Sequence, residues 1–190
     1  FGSFGGQSNG GTSDAFLTKY DSNGNVTWTK FLGNSNFEDT LAVQTGRDGA
    51  VYVTGYTSGT LDGQVYAGGN HDAYLTKYLA DGTKAWTGLL GTSQTDQATA
   101  LSVGSDGTVF VGGLTYSALD GQVYNGGQDA FLVKFSADGT KIWTREIGSS
   151  GADRINATAI GPDGSIYACG YTTGALDGQA NSGNYTSFLV

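Results

Sequence analysis

The segment "LDGQVYAGGNHDAYLTKY", residues 61–78, is written almost unchanged a second time as "LDGQVYNGGQDAFLVKF", residues 119–135. A degenerate copy, "LDGQANSGNYTSFLV", occupies residues 176–190, and a trace of the same pattern, "GGQSNGGTSDAFLTKY", occupies residues 5–20. Recurrence of one segment at a fixed period indicates a duplicated structural unit. The chain is therefore predicted to be a repeat array.

Other landmarks keep nearly the same period. The tryptophans recur at spacings of 58 and 57 residues, at Trp28, Trp86 and Trp143. One set of aspartates recurs at spacings of 57 and 57, at Asp39, Asp96 and Asp153, and a second at 58 and 57, at Asp48, Asp106 and Asp163. These landmarks fix the register of the repeat along the chain.

Each period contains four short apolar stretches separated by turn signals. In one copy they are "ATALSV" (98–103), "VFVGGLT" (109–115), "AFLVKF" (130–135) and "KIWTREIG" (141–148). The stretches are rich in β-branched and aromatic residues and are bounded by Asp-Gly, which is typical of strands joined by tight hairpins. In the preceding copy we expect strands near 40–45, 50–56, 73–78 and 84–90. No stretch has the sustained period of an amphipathic helix.

Four consecutive antiparallel strands per repeat predict an all-β fold, a β-propeller with four-stranded blades. About three blades are expected, near 39–90, 96–147 and 153–190, preceded by a partial blade at 14–32. Each strand of a blade is covered on both faces, which explains why the strands are apolar runs and do not alternate cleanly between apolar and polar residues. One face of each second strand should meet a neighbouring blade through Val51 and Val53, Val109 and Val111, or Ile166 and Ala168.

These residues carry a family resemblance. The pattern "DAFLTKY…NGNVTWTKFLG…D…VYVTGYTSGTLDGQ" resembles the bacterial β-propeller repeat known as the SBBP type, over essentially the whole chain. That resemblance implies tandem arrays within large secreted or cell-surface proteins, and it implies a scaffold and not a reaction. "NYTSFLV" departs from the Asp-Ala-Phe-Leu block, so the last copy is diverged or truncated. The absence of methionine suggests that the chain is part of something longer.

Composition excludes several classes of function. The formal net charge is −8, and an acidic surface repels phosphate backbones, so we expect no nucleic-acid binding. No apolar run approaches the roughly 18 residues of a membrane helix, so no membrane insertion is expected. The single cysteine, Cys169, excludes an intrachain disulfide. It lies where the sister copies carry Thr54 and Gly112, which predicts a small packed side chain.

Most acidic residues recur, which favours structural roles over a single active site. Asp21, Glu38 and Glu146 fall outside the repeated positions. Asp-Gly pairs supply the left-handed backbone of tight turns. A calcium site is the alternative for Asp62, Asp120 and Asp177, which lie in Gly-rich loops, since Ca²⁺ prefers hard oxygen ligands. Their spacing matches neither an EF-hand loop nor a nonapeptide coil, so the sequence predicts no cofactor and leaves calcium as the alternative.

The three tryptophans have two interpretations. In the fourth strand of each repeat, Trp28, Trp86 and Trp143 can pack as wedges between blades, or can line grooves that bind ligands such as sugars. The packing role is the stronger prediction. His71 is the only histidine, and without a second ligand it is expected to be a solvated loop residue.

The sequence predicts a non-enzymatic propeller scaffold of a secreted or cell-surface bacterial protein, in contact with a protein partner or with neighbouring repeats. The alternative is a multivalent carbohydrate-binding module, because repeated weak sites gain avidity. Three blades cannot surround a central axis. We therefore expect further repeats, or a homo-oligomer that completes a ring.

Overall fold

The computed structural model describes residues 3–4, 6–8, 10–33, 35–181 and 183–190. Within them the fold is all-β and antiparallel, and no α-helix is present. Besides the short pair β1 (Ser3–Phe4) and β2 (Gln7–Ser8), the strands form four consecutive sheets, I to IV.

Sheet I has two strands and sheet II has four. Sheet I pairs β3 (Ala15–Tyr20) with β4 (Val26–Leu32). Sheet II has the order β5 (Glu38–Thr45), β6 (Val51–Thr57), β7 (Asp72–Tyr78) and β8 (Lys84–Leu90). These four strands lie where the sequence predicts them.

Sheet III repeats the plan of sheet II, and sheet IV has three strands. Sheet III has the order β9 (Asp96–Val103), β10 (Val109–Thr115), β11 (Asp129–Phe135) and β12 (Lys141–Ile147). Sheet IV has the order β13 (Asp153–Ile160), β14 (Ile166–Thr172) and β15 (Thr186–Leu189). The described residues do not close a ring.

Consecutive sheets stack face to face, so the valines of the second strands meet a neighbouring sheet, as the sequence predicts. Val53 packs with Ala15 and Leu32 of sheet I. Val109 and Val111 pack with the core of sheet II, and Ala168 lies in the cluster that joins sheets III and IV. Every residue of β10 is buried, because this strand lies between neighbouring sheets.

A backbone irregularity recurs between the first and second strands. The register shifts within the β9–β10 pair at Gly112/Gly113, and equivalent shifts occur in sheets II and IV. A Cβ at Gly112 would meet Cγ2 of Ile155 at 2.6 Å, so sheet IV approaches the backbone of sheet III closely there. The equivalent residue of sheet IV, Cys169, is exposed. The prediction of a packed side chain at Cys169 is therefore wrong, because no sheet covers that face of sheet IV.

The hairpin turns follow the predicted Asp-Gly chemistry. Gly49, Gly82, Gly107, Gly139 and Gly164 all have positive φ. In these turns the preceding aspartate accepts a backbone hydrogen bond from the residue two positions on, as in Asp106 to Thr108 N–H at 3.0 Å. Within the described residues no helix is long and apolar enough to cross a membrane.

Candidate functional site

Each sheet has two ends with different chemistry. The turn end carries the Asp-Gly hairpins. The opposite end, called here the aspartate end, carries the first residues of the first and third strands. Buried acids occupy both positions in sheets II and III and the first-strand position in sheet IV. They are Glu38, Asp72, Asp96, Asp129 and Asp153, each exposed by 1% or less.

The buried aspartates hold the loops of the aspartate end. Asp72 accepts a hydrogen bond from the backbone N–H of Ala67 at 2.6 Å, and Asp96 accepts one from Thr92 N–H at 2.6 Å. Asp129 and Asp153 make the equivalent bonds to Asn125 and Ser149. A carboxylate that accepts backbone N–H bonds orders a loop, and its repetition supports a structural role.

The structure corrects one sequence assignment. Asp96 and Asp153 pair across the sheet with Thr115 and Thr172, and their equivalent in sheet II is Glu38, which pairs with Thr57. Glu38 also accepts a hydrogen bond from the Thr57 hydroxyl at 2.9 Å. Asp39, assigned to this position from its spacing, is one residue out of register.

Burial raises the pKa of three of these acids, Asp72, Asp96 and Asp129. It raises the pKa of Asp72 to about 6, with a further contribution from the nearby charge of Asp96. The Oδ1 atoms of Asp72 and Asp129 are buried without a hydrogen-bond partner. A carboxyl group in such a position resists ionisation, because its charge is poorly solvated.

The Leu-Asp-Gly-Gln loops fold back along the fourth strands. Asp62 has a φ of 51°, and its carboxylate accepts hydrogen bonds from Lys84 Nζ at 2.6 Å and Thr87 Oγ1 at 2.5 Å. In sheet III, Asp120 binds Lys141 and Thr144 in the same way. We call this Asp–Lys–Thr arrangement the loop clasp. It ties each loop to the fourth strand of its own sheet, and the leucines before the aspartates, Leu61 and Leu119, are buried in the clusters between sheets.

The loop clasp bears on the calcium alternative. The carboxylates of Asp62 and Asp120 each form a salt bridge with a lysine ammonium group, which a divalent cation would have to displace. Asp177 has the same backbone conformation, with a φ of 48°, but sheet IV has no fourth strand to supply a lysine. Among the described residues no group of three or more His, Cys, Asp or Glu could hold a metal ion.

The tryptophans lie near the turn end, against the next sheet. A Cβ added to Gly139 of sheet III would meet the Trp86 ring at 2.9 Å, and one added to Gly82 would meet the Trp28 ring at 3.0 Å. Trp86 also lies edge-on to Tyr52, with centroids 6.2 Å apart. The structure places Trp28 and Trp86 as wedges between consecutive sheets.

Trp143, in the same position of sheet III, makes different contacts. It lies 5.9 Å from the Phe110 ring and beneath the Arg145 guanidinium at 5.8 Å. Within the described residues sheet IV has three strands, and no turn glycine lies against Trp143. The three tryptophans are therefore in separate places, and none shares a site with another.

A polar cleft opens at the aspartate end between sheets II and III. Its volume is about 370 Å³, and it is lined by Asn70, His71, Gln94, Thr95, Gln97 and Tyr116. We call it the junction cleft. Larger hollows lie beside sheet I and sheet IV, where the sheets have two and three strands.

His71 is held in the junction cleft by contacts on two sides. Its ring meets that of Tyr56 edge-on, with centroids 4.5 Å apart, and Phe37 lies 6.3 Å away. Gln97 Nε2 lies 3.3 Å from His71 Nδ1, a contact whose donor depends on the imidazole tautomer. Burial lowers the pKa of His71, because the charged imidazolium is poorly solvated there. The histidine is half-buried and oriented, unlike the solvated loop residue that the sequence predicts.

Sequence reasoning missed this cleft because its residues come from two sheets. A signal was present, however. The structural residues of this chain recur in each repeat, but the residues that line the cleft do not recur. At the junction of sheets III and IV, the positions equivalent to His71, Gln97 and Tyr116 are occupied by Gln128, Arg154 and Thr173.

The chain is similar to a curated protein and to a solved structure. No protein-family model matches the chain. The chain is 36% identical over 164 residues to the regulatory protein FlaEY of Caulobacter vibrioides, a match that covers 79% of this chain and 17% of the relative. A crystal structure of a protein of unknown function from Bacteroides caccae is similar with a TM-score of 0.49 and 10% identity, over 92% of this chain and 58% of that one.

Proposed function

We propose that this chain is a segment of a β-propeller of the SBBP-repeat type, in which sheets I to IV are successive blades. Two complete four-stranded sheets with equivalent registers support this interpretation. The loop clasp recurs in both, and an inter-sheet tryptophan recurs in sheets I and II. In this proposal, further repeats of the same protein cover the outer faces of sheets I and IV.

The proposed activity is non-enzymatic: the propeller is a scaffold that presents its aspartate end to a protein partner, outside the cell or on its surface. The observation that carries this proposal is the division of roles between repeated and varied positions. Buried acids, turn residues and clasp residues recur from sheet to sheet. Other side chains of the aspartate end, such as those of Phe37 and Tyr116, differ from one junction between sheets to the next. The relative is called a regulatory protein, a role that contact with other macromolecules can fulfil.

Site-specific photo-cross-linking in the full-length protein tests this proposal. A photoreactive residue at Tyr116, which is 43% exposed, should give a discrete cross-linked product with a second protein. The same residue at Thr140, in a turn at the opposite end, is the control and should give none. Equal products from both positions, or none from several positions at the aspartate end, would contradict the proposal.

The alternative, a multivalent carbohydrate-binding module that uses Trp28, Trp86 and Trp143, makes a different prediction. Glycan binding on an array would then weaken in each Trp→Ala variant that remains folded. The burial of Trp28 Nε1 and Trp86 Nε1 disfavours this alternative, since those donors cannot reach a ligand.

A further inference from the structure

We infer that the junction cleft is a single binding site for an uncharged saccharide. The inference uses the stacking of sheets II and III and does not depend on a protein partner. It also differs from the multivalent alternative, because it places one site in one junction and assigns no contact to the tryptophans.

The chemistry of the lining supports an uncharged, hydroxyl-rich ligand. Asn70, Gln94 and Gln97 offer amide donors and acceptors together, and Thr95 adds a hydroxyl group. No charged side chain lines the cleft, although the chain has a formal net charge of −8. An anionic ligand would find no cation there, and a cationic ligand would find no carboxylate.

The rings supply the apolar part of such a site. The His71 and Tyr116 side chains line the cleft, and Tyr56 supports the imidazole from behind. Aromatic rings beside a few oriented polar groups are the usual composition of a small-molecule site, because the rings bury C–H surface and the polar groups fix orientation.

Hydrogen bonds hold side chains of the junction cleft in position before any ligand binds. Asn70 Nδ2 donates to Thr95 Oγ1 at 3.3 Å, which links the loops of sheets II and III across the cleft. The Tyr116 hydroxyl donates to Gln128 Oε1 at 2.9 Å, so the ring is fixed at its far end. Groups fixed before binding lose little conformational freedom when a ligand arrives.

The other junctions lack this composition. At the junction of sheets III and IV the position of Gln97 holds Arg154, and that of Gln94 holds Gly151. At the junction of sheets I and II the position of Gln97 holds Asp39, whose carboxylate accepts the Tyr56 hydroxyl at 3.1 Å. A site that occurs once among repeated units indicates a specific ligand more than a structural requirement.

His71 provides the direct test, because it is the only histidine and gives one set of imidazole resonances. We expect neutral methyl glycosides of glucose, galactose and N-acetylglucosamine, titrated one at a time, to include at least one that shifts these resonances saturably. A shallow single site should have a dissociation constant of about 1 mM, which corresponds to roughly −4 kcal/mol. Glucuronate, which carries a carboxylate, should bind at least about tenfold more weakly than that glycoside.

The variant Gln97→Arg, which places the sister residue in the cleft, should abolish the shift while the melting temperature stays unchanged. Asp138→Asn, in a turn at the opposite end, is the matched control and should bind as the unaltered chain does. The inference is overturned if no neutral glycoside shifts His71 at 100 mM (about a hundred times the expected constant), or if Gln97→Arg binds normally. Either result would leave the cross-linking prediction untouched.

Discussion

Glu146 lies near the end of β12, where the preceding sheet carries Leu89. Its carboxyl group accepts a hydrogen bond from the backbone N–H of Leu119, while Oε2 is buried without a hydrogen-bond partner. Burial raises the pKa of Glu146 to about 7, with smaller contributions from Asp129, Asp96 and Asp120. The folded protein therefore holds this proton more tightly than the unfolded chain does.

A change of Glu146 to Gln should alter the pH dependence of stability. Since the folded pKa of Glu146 is raised from 4.5, ionisation opposes folding, and the free energy of unfolding falls as pH rises from about 4.5 to about 7. Glu146→Gln should be more stable than the unaltered chain by on the order of 2 kcal/mol at pH 8 and equal to it at pH 4.5. Urea melts at both pH values measure this difference.

The control for this prediction is Asp138→Asn. Hydrogen bonds from Ser136 and Thr140 lower the pKa of this exposed carboxyl group, so it does not titrate above pH 4.5. The slope between pH 4.5 and 8 should stay unchanged in that variant. An equal slope in the Glu146→Gln protein would show that Glu146 is ionised throughout this range.

Trp86 makes the second prediction at the scale of one residue. Deletion of a large buried aromatic side chain costs roughly 3–5 kcal/mol, and Trp86 is partly exposed, so Trp86→Ala should cost about 2–4 kcal/mol. Loss of the contact with Gly139 of sheet III is the physical reason. Chemical denaturation measures this cost. A near-neutral result would refute the packing role.

At the scale of elements, the strands were predictable from sequence and the interactions between sheets were not. Asp-Gly turns and apolar runs predict the strands of sheet II to within two residues. The sequence does not separate Glu38 from Asp39, because both are acidic and only the cross-strand partner, Thr57, identifies the buried one. The sequence marks the cleft positions only as ones that do not recur, and it does not show that Gln97 meets His71, because that contact forms only when two sheets stack.

The loop clasp can be tested as an interacting pair. Asp62 and Lys84 are each about one-third exposed, so a double-mutant cycle with Asp62→Asn and Lys84→Val should give a coupling of about 0.5–1 kcal/mol. The coupling should shrink at about 1 M salt, where the screening length is about 3 Å. The first repeat supports this pairing, because it has Gly5 and Val26 at the equivalent positions and so lacks both partners.

A matched control for the clasp is the pair Lys77 and Asp48. Their charged atoms are 3.9 Å apart, and Asp48 is 63% exposed. This cycle should give a coupling near zero. If both cycles give the same coupling, the clasp contributes no more than an ordinary surface ion pair.

Metal removal tests the calcium alternative for the same loops. Because a lysine ammonium group forms a salt bridge with the carboxylate of Asp62 and of Asp120, EDTA should leave the melting temperature unchanged, and millimolar Ca²⁺ should not raise it. A metal at a hundred times its dissociation constant would add about 2.7 kcal/mol to the free energy of unfolding. Scanning calorimetry with and without EDTA distinguishes these results.

At the scale of the whole molecule, equivalent aromatic residues differ sharply in burial. Phe16 of sheet I is 58% exposed, whereas its equivalents Tyr74 and Phe131 are 0% exposed. Tyr20 is likewise 57% exposed, and its equivalent Tyr78 is 1% exposed. The residue types are suited to burial in every copy, so the difference comes from the neighbours that each sheet has.

This difference predicts how the chain responds to added repeats. Full burial of one such side chain stabilises a fold by about 1.5–3 kcal/mol, and repeat arrays gain stability from each new interface. A chain extended by two strands before sheet I should therefore have a higher urea midpoint, and its Phe16 and Tyr20 should become protected from solvent. The 190-residue chain alone should associate through this face.

Light scattering and a pair of variants decide this prediction. Phe16→Thr with Tyr20→Thr should reduce association of the 190-residue chain and keep its strand content, whereas Leu79→Thr, at an exposed turn residue of sheet II, should not. A compact monomer of 19.5 kDa at all concentrations, with a urea midpoint that extension does not raise, would mean that the open face needs no neighbour. The sheets would then be stable as an open stack, because their mutual interfaces already bury enough apolar surface.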